Sequence, residues 1–468
     1  MKTAPFKTAP LKAAAGVMLA AALAGCAIKP EPLNLPLATA TPAWREGAAN
    51  DAWPSKAWWT AFGSTELDQL IARAEHDNDD LAAAVARMKQ ADAQARIAGA
   101  PLLPSVEAGT EAAAVRRNSP QGKERHYGDF TGVFTASYEL DIWGKNHAAL
   151  DAAKSSATAA RYAWQVVDLA TVSGVATTYI QVLGLQDQIA TAEANLATAQ
   201  AVLGDIQAKQ RAGLVPQLDV VNQQTLVETA RQAIAPLQEA RAHALDALAI
   251  LTGQSPETMQ VTAKSLADLH APALDAGLPS QLLLHRPDLQ QAEQQLEAAN
   301  ANIVVARAQF LPSFNLSGSV GVEAMGLASG VGGPDLIYNL AMGAVQPIFE
   351  GGKLKGQLQL ARAQKAELLA DYIKATRQAY GDVEDALASV RATATEETAA
   401  QAAVAKADQA LSMTEGGLKA GMVDTFAVQA AQAATLPNRA ALQQADAAHL
   451  QSLVALYTAL GGGWSLKS

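Results

Sequence analysis

Residues 130–142 read FTGVFTASYELDI, and their apolar and polar positions alternate. Phe130, Gly132, Phe134, Ala136, Tyr138, Leu140 and Ile142 share one parity. Thr131, Thr135, Ser137, Glu139 and Asp141 share the other, interrupted only by Val133. A period of two predicts a strand with one apolar and one polar face. The pattern returns later, where Phe314, Leu316, Val320 and Val322 oppose Ser313, Asn315, Ser317 and Ser319, and where Leu336, Tyr338, Leu340, Met342 and Ala344 share a parity. A weaker version, with Val106, Ala108, Ala112 and Ala114 on one side, precedes the first. The expected strands are 105–117 with 129–142, and 313–325 with 336–349. The segments between partners, 118–128 and 326–335, are polar or glycine-rich loops.

Elsewhere the spacing is helical. From Lys353 to Ala394, Leu354, Leu358, Ala361, Leu368, Tyr372 and Ala379 step by threes, fours and sevens. Leu369, Ile373, Thr376, Tyr380, Val383, Leu387 and Val390 form a second seam one residue round from it. Two adjacent seams predict a helix packed on both sides. Helices of this kind over 145–211 and 352–419 would each be roughly 100 Å long at 1.5 Å per residue, too long for a compact domain.

The chain is also written twice. Leu103-Pro104-Ser105 returns as Leu311-Pro312-Ser313, Gly144-Lys145 as Gly352-Lys353, Ala212-Gly213-Leu214-Val215 as Ala420-Gly421-Met422-Val423, and Gly253 as Gly461, all 208 residues later. Such self-similarity marks a duplicated structural unit. The first repeat is placed at 76–253, with a helix, the strand pair 105–142 and helices 145–211 and 217–252. The second is placed at 281–461, with a helix, the strand pair 313–349 and helices 352–419 and 424–460. Residues 254–280, with Pro256, Pro272 and Pro279, read as an irregular connector, and 462–468 as a tail.

Composition narrows the reading. Hydrophobic residues make up 50% of the chain but aromatics only 5%, which suits closely packed alanine-rich helices better than a thick globular core. The net charge of −10, without a basic cluster, argues against a nucleic-acid partner. At the start, Lys2, Lys7 and Lys12 precede an apolar run from Ala13 to Ala24 that is too short to span a bilayer. It ends in Leu23-Ala24-Gly25-Cys26, which resembles a bacterial lipobox, so 1–25 reads as a lipoprotein signal peptide and Cys26 as the lipidated first residue. Ala27 after it implies, by the same resemblance, export to the outer membrane. Cys26 is the only cysteine, so an internal disulfide is excluded. Loss of residues 1–25 removes three lysines and no acid, leaving an acidic envelope protein whose segment 26–75 carries the anchor.

One acyl anchor attaches weakly, and no later continuous apolar run is long enough for a spanning helix, so further membrane contact falls to the strands. Four strands cannot close a barrel, and an open sheet edge is not tolerated in lipid. Several chains must therefore share one; three would supply twelve strands.

On these residues the chain resembles the TolC-type outer-membrane efflux proteins, in their lipoprotein branch. The resemblance rests on Trp58-Trp59-Thr60-Ala61-Phe62, on Leu67 to Ile71, on Arg286-Pro287-Asp288 with Ala292-Glu293, and on Leu460-Gly461-Gly462-Gly463-Trp464, in that order on a duplicated frame. It implies a mainly α fold with a small β part: a homotrimeric 12-stranded outer-membrane β-barrel continued by a long periplasmic α-helical barrel with an equatorial belt. It further implies an exit duct of a tripartite pump for drugs or other toxic compounds. The implied partners are a periplasmic membrane-fusion adaptor, an inner-membrane pump of RND type and outer-membrane lipid. No enzyme activity, metal or cofactor is expected beyond covalent lipid on Cys26. Two alternatives share the sequence features: the exit duct of a type I protein secretion system, and a non-channel helical scaffold lipoprotein.

Gly213 and Gly421 read as the C-caps of the two helical turns expected at the periplasmic mouth. The family's acidic constrictions point to Asp424 and Asp219 as gate residues, while Asp424 also reads as a simple N-cap. Ala430 stands where the family often carries aspartate, so its usual gate does not transfer. Arg286, Pro287 and Asp288 read as a structural helix start, Trp58 and Trp59 as belt packing, and Trp464 as a structural-motif residue. The seven histidines are scattered without metal-ligand spacing. Glu350-Gly351-Gly352-Lys353-Leu354 lacks the hydroxyl residue and first glycine of a phosphate loop.

Overall fold

In the computed structural model, residues 28–32, 44–45, 53–118, 124–272, 282–325 and 335–463 are described. Strands β1 (Ser105–Asn118), β2 (Glu124–Leu140), β3 (Ser313–Met325) and β4 (Asp335–Val345) form one antiparallel sheet in the order β1-β2-β3-β4. The helices are α1 (Thr65–Asp77), α2 (Asp79–Gly99), α3 (Lys145–Arg211), α4 (Gln217–Gln232), α5 (Ile234–Leu251), α6 (Leu282–His285), α7 (Pro287–Ala308), α8 (Lys353–Lys419) and α9 (Thr425–Ala459).

Several boundaries differ from the expected ones. The helix expected over 217–252 breaks at Ala233 into α4 and α5, because Pro236 cannot donate to Gln232 and its ring crowds that carbonyl. The helix expected from 281 is interrupted at Arg286, ahead of Pro287, which takes the first position of α7. β4 stops at Val345 rather than 349, short of Pro347, and β2 stops at Leu140 rather than 142. Cys26, expected to carry lipid, and Trp464, of the closing LGGGW motif, lie outside the described residues.

The chain packs as two compact units, and these do not follow the repeats. One comprises described residues within Met1–Pro36, Arg87–Arg161 and Gln291–Tyr372; the other, within Leu37–Ala86, Tyr162–Gln290 and Ile373–Ser468. Each takes segments from both halves, so duplication in sequence is not separation in space.

The first unit holds the sheet. The second holds the main core, where Val172, Val175, Ala176, Tyr179, Ile180 and Leu183 form one stripe of α3 against Phe62, Leu67, Ile71, Leu248, Leu453 and Val454. α3 contains an 18-residue stretch long and apolar enough to cross a membrane by composition, but half of that stretch is buried inside the protein. The connector after α5 is fastened to α1 by Glu66. Its carboxylate accepts from the Thr262 amide (2.7 Å), the Thr262 hydroxyl (2.8 Å), the Ala263 amide (3.0 Å) and the Tyr179 hydroxyl (3.0 Å). Burial alone would raise the pKa of Glu66, but these donors outweigh it and hold the group below the ordinary value.

The repeat survives in atomic detail in this second unit. A side chain at Gly253 would collide with the Asp77 carbonyl, and one at Gly461 with the His285 carbonyl, at equivalent places 208 residues apart. Asn78 donates to the Leu251 carbonyl (2.9 Å), and Arg286, its counterpart, donates to the Ala459 carbonyl (3.3 Å).

Candidate functional site

The sheet has two unlike faces. Register places Ala108, Phe134, Val320 and Tyr338 in one cross-strand row, Val106, Ala136, Gly318 and Leu340 in another, and Tyr138, Leu316 and Met342 in a third. Within the chain this face is open: Val106, Phe134, Tyr338, Leu340 and Met342 are each more than 60% exposed. Two rows of opposite parity read Glu107, Thr135, Ser319, Asn339 and Glu111, Thr131, Glu323, Asp335, with Gly109, Val133, Gly321 and Ile337 between them. An apolar face this large is unfavourable in water, whereas lipid is a matching solvent for it. β1 and β4 each have one edge without a partner strand in this sheet.

The two helical turns lie in the second unit and repeat one geometry. Gly213 (φ 74°) and Gly421 (φ 72°) follow α3 and α8. The Leu214 amide donates to the Lys209 carbonyl (2.9 Å) and the Met422 amide to the Gly417 carbonyl (2.8 Å), closing matching C-cap motifs. Both glycines have open space around them, so the positive φ alone selects the residue. Asp424 is exposed and caps α9, its carboxylate accepting from the Ala427 amide (2.9 Å). Asp219 is in the first turn of α4, and its carboxylate accepts from the hydroxyl of buried Thr425 (2.6 Å), while its carbonyl accepts from buried Gln429 (3.3 Å). The two aspartates are thus used differently: one starts α9, and the other ties the starts of α4 and α9 together. Thr425, Gln429 and the fully buried Gln223 were not singled out by sequence. Their polar character at helical spacing within alanine-rich stretches is the available signal.

Arg286 has a side chain only 14% exposed and bridges three partners. It holds Asp288 with two nitrogens (2.7 and 3.0 Å), Asp382 on α8 with a third (2.9 Å), and the Ala459 carbonyl near the end of α9. Burial would depress its pKa, but the two carboxylates outweigh that and raise it. Trp58 stacks on Tyr457 with ring centres 4.8 Å apart, and Trp59 meets Trp58 edge-on. Arg286, Pro287, Asp288, Trp58 and Trp59 therefore build the second unit's interior and its helix ends. Among the described residues, no three His, Cys, Asp or Glu side chains converge to hold a metal ion.

The sequence profile of the family described as outer membrane efflux protein matches residues 70–254 and again residues 278–462. The chain is 38% identical over 453 residues to the pyoverdine export outer membrane protein OpmQ of Pseudomonas aeruginosa, covering 94% of this chain and 95% of that one. It is 37% identical over 435 residues to OpmQ of Pseudomonas putida, covering 91% and 92%. Its fold matches the crystal structure of the Campylobacter jejuni CmeC outer membrane channel with a TM-score of 0.86 at 24% identity, over 94% of this chain and 96% of that one. The two-faced sheet, the twice-written frame and these likenesses agree: the chain belongs to the outer membrane efflux protein family and is an outer-membrane efflux channel of TolC-type fold.

Proposed function

We propose that three copies of this chain form the exit duct of a tripartite pump, closing a 12-stranded barrel in the outer membrane, with a lipid anchor on Cys26. The sheet carries this reading. Its apolar face is open, and β1 and β4 are left without outer partners. In lipid, each unpaired backbone group costs several kcal/mol, so pairing β1 of one copy with β4 of the next removes a large penalty. The polar rows that carry Glu107, Glu111, Glu323 and Asp335 then line the lumen. The long helices α3 and α8 wall the periplasmic part, and the turns at Gly213 and Gly421 form its entrance. Asp219 and Asp424 belong to the gate, Asp219 through its bond to Thr425. A periplasmic membrane-fusion adaptor engages this end and an RND-type inner-membrane pump supplies energy; the duct itself performs no chemistry.

The cargo is toxic compounds, and likeness to two pyoverdine export proteins over more than nine-tenths of the chain adds pyoverdine or compounds like it. Purified protein in a planar bilayer is expected to show discrete conductance steps, and a deletion strain to lose tolerance of toxic compounds or secretion of a pyoverdine-like compound. Absence of conductance would refute the duct. Conductance with neither cellular phenotype would refute the cargo.

A further inference from the structure

The first described residues, 28–32, are fastened to the first unit. The Ile28 amide donates to the Trp143 carbonyl (3.3 Å), three residues beyond the end of β2. Ile28 and Pro30 line a groove of about 460 Å³ with His147 and Asp151 of α3 and Ala301 and Val304 of α7. At Glu31 the contacts become specific. Its carboxylate pairs with Arg307 and lies 4.0 Å from the Lys365 ammonium, while its carbonyl accepts from the Asn300 amide (2.7 Å). Asn300 is 7% exposed, and its other end accepts from Lys365 (2.8 Å). Both ends of a buried amide are thus satisfied only while residue 31 is in place. The Arg307 hydrogen bond and charge hold the Glu31 carboxyl below its usual range, with Lys365 and Arg362 adding to the effect.

We propose that Asn300, Arg307 and Lys365 form a dock for the anchor segment, gripping Glu31 so that the lipid on Cys26 enters the membrane at the foot of the sheet. This rests on the reading of Cys26 as lipidated. Position 26 is two residues from Ile28, so a chain reaching about 3.6 Å per residue keeps it within about 7 Å of that point. The acyl chains are therefore delivered beside Leu140 and Trp143, where the apolar face of β2 ends. One acyl chain alone is a weak tether. Docking fixes its place and adds the anchor to the sheet's own hold on the bilayer. Glu31, Asn300, Arg307 and Lys365 act as positioning residues.

The test uses the full lipoprotein, expressed in cells fed a photoactivatable fatty acid and reconstituted in phospholipid nanodiscs. Cross-links from the acyl chain are mapped by mass spectrometry, and amide exchange is followed over 28–32. In the wild type, cross-links should concentrate at 140–143. Arg307→Ala and Glu31→Ala should disperse them and speed exchange over 28–32 roughly tenfold, the loss expected for a charge-assisted contact. The swap of Glu31→Arg with Arg307→Glu should restore both. Cross-links equally dispersed in wild type and variants would overturn the dock. If the peptide containing residue 26 carries no acyl mass, the lipidation reading fails by itself, and exchange over 28–32 decides: protection unchanged by Arg307→Ala overturns the dock as well.

Discussion

Replacing Leu340 with lysine puts a charge at the centre of the eleven-residue strand β4, on the open apolar face. Its row, Val106, Ala136, Gly318 and Leu340, offers no polar partner. A lysine on the lipid face near the bilayer midplane costs about 2–4 kcal/mol. If three copies share one barrel, the same change occurs three times, so the assembly loses on the order of 6–12 kcal/mol. One residue away, Asn339 lies on the other parity in a row with Glu107, Thr135 and Ser319. Asn339→Lys should therefore change stability by no more than about 0.5 kcal/mol. Both variants would be folded into phospholipid vesicles and unfolded with urea, with the surviving oligomer followed by unheated gel electrophoresis. Equal midpoints for the two variants, or greater damage from Asn339→Lys, would refute the assignment of faces.

Arg286→Ala leaves the Asp288 and Asp382 carboxylates without their shared cation. It should cost about 3 kcal/mol in urea unfolding, at the lower end for a buried pair because both acids are partly exposed. Arg286→Lys should recover only part of this, since an ammonium cannot reproduce the two-nitrogen grip on Asp288. Asp168 on α3 has its pKa pushed up to about 6, chiefly by burial and then by Glu75, with Lys56 opposing. The folded state thus holds this proton more tightly than the unfolded state, and stability should fall as pH rises from about 4 to 6, by on the order of 2 kcal/mol after allowance for screening. Asp168→Asn should flatten that fall; an unchanged slope assigns it to other groups. At the turns, Asp219→Ala cuts the link to Thr425 and Asp424→Ala uncaps α9, the latter costing about 1 kcal/mol locally. Each should raise the leak of the resting channel in a planar bilayer, and unchanged leak in both would take this turn out of the gate.

What could be read from the sequence follows from which forces are local. The parity of 130–140 is set by the pleat, and the resulting apolar face is what the sheet displays. The long helices follow from alanine-rich spacing, with a glycine of positive φ stopping each. The break at Ala233 was also local, since Pro236 stands in the sequence, but helical spacing on both sides obscured its effect. The contacts of Arg286 were not legible. Asp382 and the Ala459 carbonyl come from parts of the sequence 96 and 173 residues away, brought in by folding. The Asp219–Thr425 bond is of the same kind, linking positions 206 apart. The division into two units was hidden for a related reason, because helices placed in one repeat by sequence contribute to both units.

The shared barrel is tested most directly by joining β1 to β4 covalently. Cys26 is the only natural cysteine, so paired cysteines can be introduced on the two strands, for instance at Ala108 or Thr110 and at Leu340 or Met342. Within one chain β1 and β4 are three strand spacings apart, roughly 14 Å, beyond the reach of a disulfide, so any bond formed must join two copies. The account predicts that oxidation in outer membranes yields a ladder of one, two and three chains that stops at three. Chains that remain single at every pairing tried, or a ladder that climbs past three, would contradict it.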